Sequence, residues 1–140
     1  MTDVRLANNE KGCFVCGVNN PQGFHLTPEL GHDGLVRLTL RIPAIYQGYD
    51  GLAHGGIIST VLDEVMAYCF FSRGIWSLTA EINVKFLKAL PVEHEITIFG
   101  ELTEMKRKIG KAVGWIEDSD AIRYAESKGR FFLPEDRENI

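Results

Sequence analysis

One stretch constrains the fold of this chain more than any other. Over residues 55–72, Ile57, Ile58, Val61, Leu62, Val65, Met66, Tyr68 and Cys69 fall on one half of a wheel drawn at about 100° per residue. Ser59, Thr60, Asp63 and Glu64 fall on the other half. The pattern predicts one helix over 55–72, about 27 Å long at ~1.5 Å per residue. Gly55 and Gly56 open it, and Gly74 is placed to stop it. A helix with one apolar half must bury that half against something, and the rest of the chain offers only strands.

Those strands read from a period of two. Val36, Leu38, Leu40 and Ile42 alternate with Arg37, Thr39 and Arg41 over 35–42, and Pro43 ends the run. Leu78, Ala80, Ile82, Val84 and Phe86 alternate with Thr79, Glu81, Asn83 and Lys85. Further strands are expected over 94–102, 111–116 and 122–133, with a charged hairpin at 106–110 and a turn at Asp118, Ser119 and Asp120. Short connections between consecutive strands imply antiparallel pairing. The expectation is an α+β domain: a strand, one helix, then a four-strand meander, with five to six strands in all. Residues 1–34, punctuated by Gly12, Gly17, Gly23, Gly31, Gly34, Pro21 and Pro28, are expected to be irregular.

The chain has 140 residues, of which 45% are hydrophobic and 24% charged. That suits a single domain over 1–140 and excludes disorder or a coiled coil. Its formal net charge is −4, from 15 basic and 19 acidic residues, so a nucleic-acid partner is not expected. No run approaches the ~20 apolar residues of a membrane span, and the opening MTDVRLANNEKG has no apolar leader. Three cysteines, Cys13, Cys16 and Cys69, make no disulfide framework. A soluble protein of the reducing cytoplasm is expected.

Chemistry concentrates where the loop becomes the helix. The first N–H groups of a helix have no partner inside it, and the dipole there favours negative charge. Gly55 and Gly56 lack side chains, so a carbonyl could approach those donors and develop oxyanion charge before them. Asp63 could act as a nucleophile or as a base toward water. Gly55 and Asp63 are eight residues apart, about 12 Å along a helix axis. One reacting group cannot touch both in one chain. If both act on one carbonyl, a second copy must supply one of them, which a two-fold axis would do. On spacing alone, a turn followed by the wet side of a helix remains the plainer account.

Three strings extend this reading. YDGLAHGGIISTVLDEVMAYCF carries an HGG tripeptide with Asp63 nine residues after His54. LTAEINVKFLKALPV follows a T-A-E-x-N-V-x-F-L-x-P pattern, with Ala89 and Leu90 pushing Pro91 later than usual. CFVCGVNNPQGFHL follows C-F-x-C-G-x-x-N-P-x-G-L. Together, from Cys13 to Leu133, the chain resembles the hot-dog-fold acyl-CoA thioesterases of the phenylacetate-degradation (PaaI-like) type. The resemblance implies a long central helix wrapped by a curved antiparallel sheet, assembled as a homodimer or a dimer of dimers. It implies hydrolysis of an acyl-CoA thioester without cofactor or metal. It implies that the Gly55 N–H polarises the carbonyl, beside Gly56, and that Asp63 of a partner chain attacks or activates water. Thr79 would orient that water, and His54 would hold the loop. Glu64, about 100° round the helix from Asp63, would lie at the substrate-binding periphery.

Weaker signals remain. Cys13 and Cys16 have metal-ligand spacing, and His25 and His32 lie nearby, but no second such pair follows. A tight turn with two small thiols is the expectation. His94 reads as a surface residue at a strand start. Arg107 and Lys108, with Lys106 and Lys111, form the basic cluster of an acidic chain. The plain reading is a hairpin turn; the sharper one is a contact to CoA phosphates. Phe70, Phe71 and Trp76 are expected in the core or a dimer contact. Two other functions fit the same fold: a non-catalytic acyl-CoA-binding module, and a dehydratase or hydratase.

Overall fold

A computed structural model describes residues 12–134. A six-stranded antiparallel sheet carries one long helix on its inner face. In chain order the elements are β1 (Glu29–Leu30), β2 (Val36–Arg41), a short 3-10 turn (Ala44–Tyr46), α1 (Gly55–Phe71), β3 (Leu78–Phe86), β4 (Glu95–Met105), β5 (Ile109–Asp118) and β6 (Arg123–Phe132). Among the described residues, no helix is long and apolar enough to cross a membrane.

The helix forms where its period predicts. Ile58, Val61, Leu62, Val65, Met66, Cys69 and Phe70 are buried. Helix α1 ends one residue before the expected bound, with Ser72 as its cap. Gly74 then adopts φ 80°, a left-handed conformation that suits glycine. The Ile75 N–H returns to the Phe70 carbonyl at 3.1 Å, closing the helix end.

The sheet order is β1-β2-β4-β5-β6-β3. This corrects the expected four-strand meander. Of the four strands after the helix, β4, β5 and β6 run as consecutive hairpins, while β3 pairs with β6 and lies at the far edge. The chain therefore crosses over from β3 to β4. The segment expected to be irregular also contributes a short strand, β1, whose Glu29 pairs with Arg37. Residues 1–11 and 135–140 of the expected single domain lie outside the described residues.

Close approach between helix and sheet depends on what the middle strands lack. Gly100 of β4 sits opposite Gly114 of β5, and Gly114 opposite Ser127 of β6. A Cβ on Gly100 would lie 2.7 Å from Val65 Cγ1 and 2.8 Å from the Val65 carbonyl. One on Gly129 would lie 3.1 Å from Met66 Cε, and one on Gly114 3.3 Å from Leu62 Cδ2. Small residues thus form a trough into which the helix's largest apolar side chains sink. Ile96, Ile98, Ile116 and Phe131 close it around them, all fully buried.

The outer face of the sheet is polar with an aromatic seam. Phe99 and Trp115 stack at 5.3 Å. Arg37 lies over the first ring at 5.4 Å and Arg123 over the second at 5.3 Å.

At the β5–β6 turn, Asp118 has a side chain only 3% exposed. It accepts from Tyr124 Oη at 2.8 Å and from the Asp120 and Ile122 N–H groups at 2.9 and 3.1 Å. His94 Nε2 lies 3.0 Å away. The His94 side chain is 40% exposed, in keeping with a surface residue, and it also ties the start of β4 to this turn. These partners, His94 foremost, hold the Asp118 carboxyl well below the usual carboxylate range.

Two stability predictions follow from the trough and the turn. Gly100→Ala should destabilise the fold by about 1–3 kcal/mol in urea unfolding, because the added methyl overpacks the Val65 contact. Val65→Ala in that background should recover part of the loss, since it removes the nearer of the two clashing groups. Asp118 favours folding above its unfolded pKa near ~3.9, and that contribution disappears as pH falls below it. The urea midpoint of wild type should therefore drop on acidification through about pH 4, and Asp118→Asn should start lower and fall less.

Candidate active site

The loop before α1 is held by backbone bonds on both sides. Ala53 N donates to the Leu90 carbonyl at 2.8 Å, and His54 N to the Tyr46 carbonyl at 3.1 Å. His54 is the helix N-cap. Its Nδ1 accepts from the Gly56 N–H at 2.9 Å, so in the neutral ring the proton sits on Nε2. The His54 carbonyl accepts from Ile57 N and Ile58 N, both at 3.0 Å. His54 thus bonds to the loop through its N–H and to the first turn of the helix through its ring and carbonyl. Gly56 spends its N–H on the cap. The Gly55 N–H has no acceptor among the described residues. It faces a cleft of about 640 Å³ lined by Tyr49, Leu52, Ile58, Phe86, Lys88 and Leu90, among others. The Phe86 ring lies 3.5 Å from where a Gly55 side chain would start, so the cleft is apolar beside a bare donor.

Asp63 lies two turns further along α1. Thr79 of β3 donates to its Oδ1 at 2.7 Å. Burial pushes the Asp63 carboxyl above its ordinary value, and the Thr79 hydroxyl partly offsets this. Strict alternation would have put Thr79 on the outer face with Glu81. Instead the register against β6 slips between Thr79 and Glu81, which makes Ala80 a bulge. The extra residue inverts the facing, and Thr79 turns inward to the helix. No periodicity marks such a bulge. The string that carries the family resemblance gave the only signal for Thr79.

Glu64 points elsewhere. It packs against the turn of Cys13 and Cys16, with Cys13 Sγ 3.9 Å from its Oε1. Burial raises its carboxyl, and the neighbouring Asp63 charge adds to that. Arg107 and Lys108 lie in the β4–β5 turn. The Lys108 carbonyl accepts from Leu133 N at 2.9 Å, and neighbouring Gly110 abuts Phe70 near the helix C-terminus. Within one chain they are at the opposite end of α1 from Gly55. The structure thus brings His54, Gly55 and Gly56 together, joins Asp63 to Thr79, and groups Glu64, Arg107 and Lys108 with neither. Sequence reasoning missed Tyr49, Phe86 and Leu90 as cleft walls, because the loop before α1 and the stretch from the end of β3 onward meet only in the folded chain.

Against known proteins, the profile of the Thioesterase superfamily matches residues 50–121, the stretch that holds His54, Gly55, Asp63 and Thr79. Acyl-coenzyme A thioesterase THEM4 of Rattus norvegicus is 33% identical over 60 residues, 43% of this chain. The match spans only about a quarter of the curated relative's length (26%). A solved thioesterase superfamily protein superposes with a TM-score of 0.79 and 26% identity, over 85% of this chain and 62% of that one. The PaaI protein of the E. coli phenylacetic acid degradation operon shares the fold at TM-score 0.71 and 16% identity, over 79% and 80% of the two chains. So does a hypothetical thioesterase of Streptococcus pneumoniae TIGR4 solved with coenzyme A, at TM-score 0.73 and 24% identity, over 81% and 91%. One helix in the curve of a six-stranded antiparallel sheet is the hot-dog fold, and with half the chain under the family profile, this protein belongs to the thioesterase superfamily.

Proposed function

We propose that the chain hydrolyses acyl-CoA thioesters, in the PaaI-like manner, at sites shared between two copies. The observation that carries this reading is the half-buried Asp63 carboxylate held by the Thr79 hydroxyl at 2.7 Å. A carboxylate with raised proton affinity is a stronger base than an exposed one. Thr79 fixes one oxygen and leaves the other to take a proton from water, or to attack directly. The thioester carbonyl lies at the Gly55 N–H of the other copy, where the helix N-terminus stabilises the oxyanion. Collapse of the tetrahedral intermediate expels the CoA thiolate and leaves the free acid. Gly56 and His54 support that donor through the cap and do not take the proton.

With Gly55 and Asp63 acting on one carbonyl, distance calls for a second copy, and an open sheet edge supports that reading. Strand β3 has no second neighbour among the described residues, so one edge of the sheet is open. Along and beside it Leu78, Phe86, Leu87, Phe71 and Phe132 are each 41–54% exposed. An edge carrying both Thr79 and an apolar row suits a homodimer, with a dimer of dimers beyond it. No disulfide joins Cys13, Cys16 and Cys69, which suits a reducing cytoplasm. For the CoA phosphates we propose Arg107 and Lys108, approached from a partner's site, and Lys88 within the cleft itself.

Thiol release from a panel of short, long and aromatic acyl-CoAs tests the reading. Asp63→Asn should lower kcat and kcat/KM together by about 10²–10⁴-fold, the signature of a group that acts in the transition state. Gly55→Pro removes the proposed oxyanion donor at the helix position that best tolerates proline. His54 already has the extended backbone (φ −67°, ψ 135°) that a following proline requires. That variant should fold normally and lose about 10²–10³ in kcat. Wild type that binds acyl-CoA but releases no thiol from any ester would make the chain a binding module instead. Arg107→Glu should raise KM for CoA esters and spare short thioesters that lack CoA.

A further inference from the structure

The Cys13 and Cys16 turn takes no part in the chemistry above, yet it meets the middle of the central helix. The turn closes through the Gly17 N–H to the Cys13 carbonyl at 2.9 Å. Glu64 projects from α1 toward it. The two sulfurs and a Glu64 carboxylate oxygen all lie within 4.8 Å of one another, and all three residues are partly shielded from water. The Val15 N–H points at Cys13 Sγ at 3.4 Å. Among the described residues, no lysine or arginine forms an ion pair with Glu64. A shielded carboxylate facing two thiols lacks a cation and offers one a place.

We infer that Cys13, Cys16 and Glu64 are the three protein ligands of a zinc site that clasps the N-terminal turn onto the central helix. The donor set selects the ion. Two thiolates and a carboxylate suit a borderline-soft divalent cation that accepts four ligands, with water in the fourth position. Zinc–sulfur bonds of about 2.3 Å in a tetrahedron place two sulfurs about 3.8 Å apart. Separations bounded by 4.8 Å then ask for movements of about 1 Å at most. Sequence spacing showed only half of this site, because its third ligand lies 48 residues beyond Cys16. The role assigned is to position the turn, one residue from Asp63, and it does not depend on thioester hydrolysis.

The full chain, reduced and stripped with a chelator, is titrated with Zn²⁺ and, separately, with Co²⁺. One ion should be retained per chain. The Co²⁺ form should show a sulfur-to-cobalt charge-transfer band in the near ultraviolet and the visible bands of tetrahedral cobalt. Cys13→Ser and Cys16→Ser should each remove or strongly weaken the charge-transfer band. Glu64→Gln should keep it while raising Kd more than about tenfold, the least that loss of even an outer partner costs a metal site. His25→Ala should change nothing. Absence of the band in wild type at stoichiometric Co²⁺ overturns the inference, whether or not any variant folds. So does a band that survives in both cysteine variants.

Discussion

The contact between α1 and the glycine-lined middle of the sheet governs the rest of the molecule. Val65 lies against Gly100 with no room for a methyl group between them. Because Leu62, Val65 and Met66 sink that far, the sheet can curve around the helix, and both sides of the helix end up covered. The polar arc is therefore not the wet face its composition suggests. Asp63 meets β3, Glu64 meets the N-terminal turn, and burial raises both carboxyls. A flatter sheet would leave them ordinary surface acids.

The same geometry sets the limits of one copy. The helix that carries the Gly55 N–H also carries Asp63, and eight residues of rigid α-helix separate them by about 12 Å. No loop motion shortens that distance. Each copy thus owns one donor end, with its apolar cleft at Phe86, and one carboxylate, with its hydroxyl at Thr79. Both halves of the proposed site touch β3, the strand left at the open edge of the sheet among the described residues. Assembly and chemistry are in this account the same event.

What could be read in the sequence was local. The helix period, the alternation of β2, the turn at Asp118 and the Gly74 stop are set by residues within a few positions, and each appears close to its expected bounds. The pairing of β3 was not legible. Alternation assigns the faces of a strand, but its neighbour is chosen by long-range packing, and β3 pairs with β6 rather than β4. The bulge at Ala80 was hidden for a related reason, since nothing in LTAEINVKF shows where the register against another strand slips. In the proposed site, Gly55 and Asp63 were candidates from the loop-to-helix junction and the helical spacing, whereas Thr79 was a candidate only through the string of the family resemblance. Glu64 was expected near substrate and faces two cysteines 48 and 51 residues earlier in the chain, a meeting that only the folded molecule supplies.

The most direct test of the shared site is complementation between two dead variants. Gly55→Pro and Asp63→Asn are unfolded together, refolded as a mixture and assayed for thiol release. If the two groups act from different copies, each mixed dimer contains one doubly damaged site and one intact site. Random assortment then restores roughly a quarter of wild-type activity. If both groups act within one copy, every site keeps a lesion, the mixture stays as inactive as its parents, and the account of a site built across two chains is wrong.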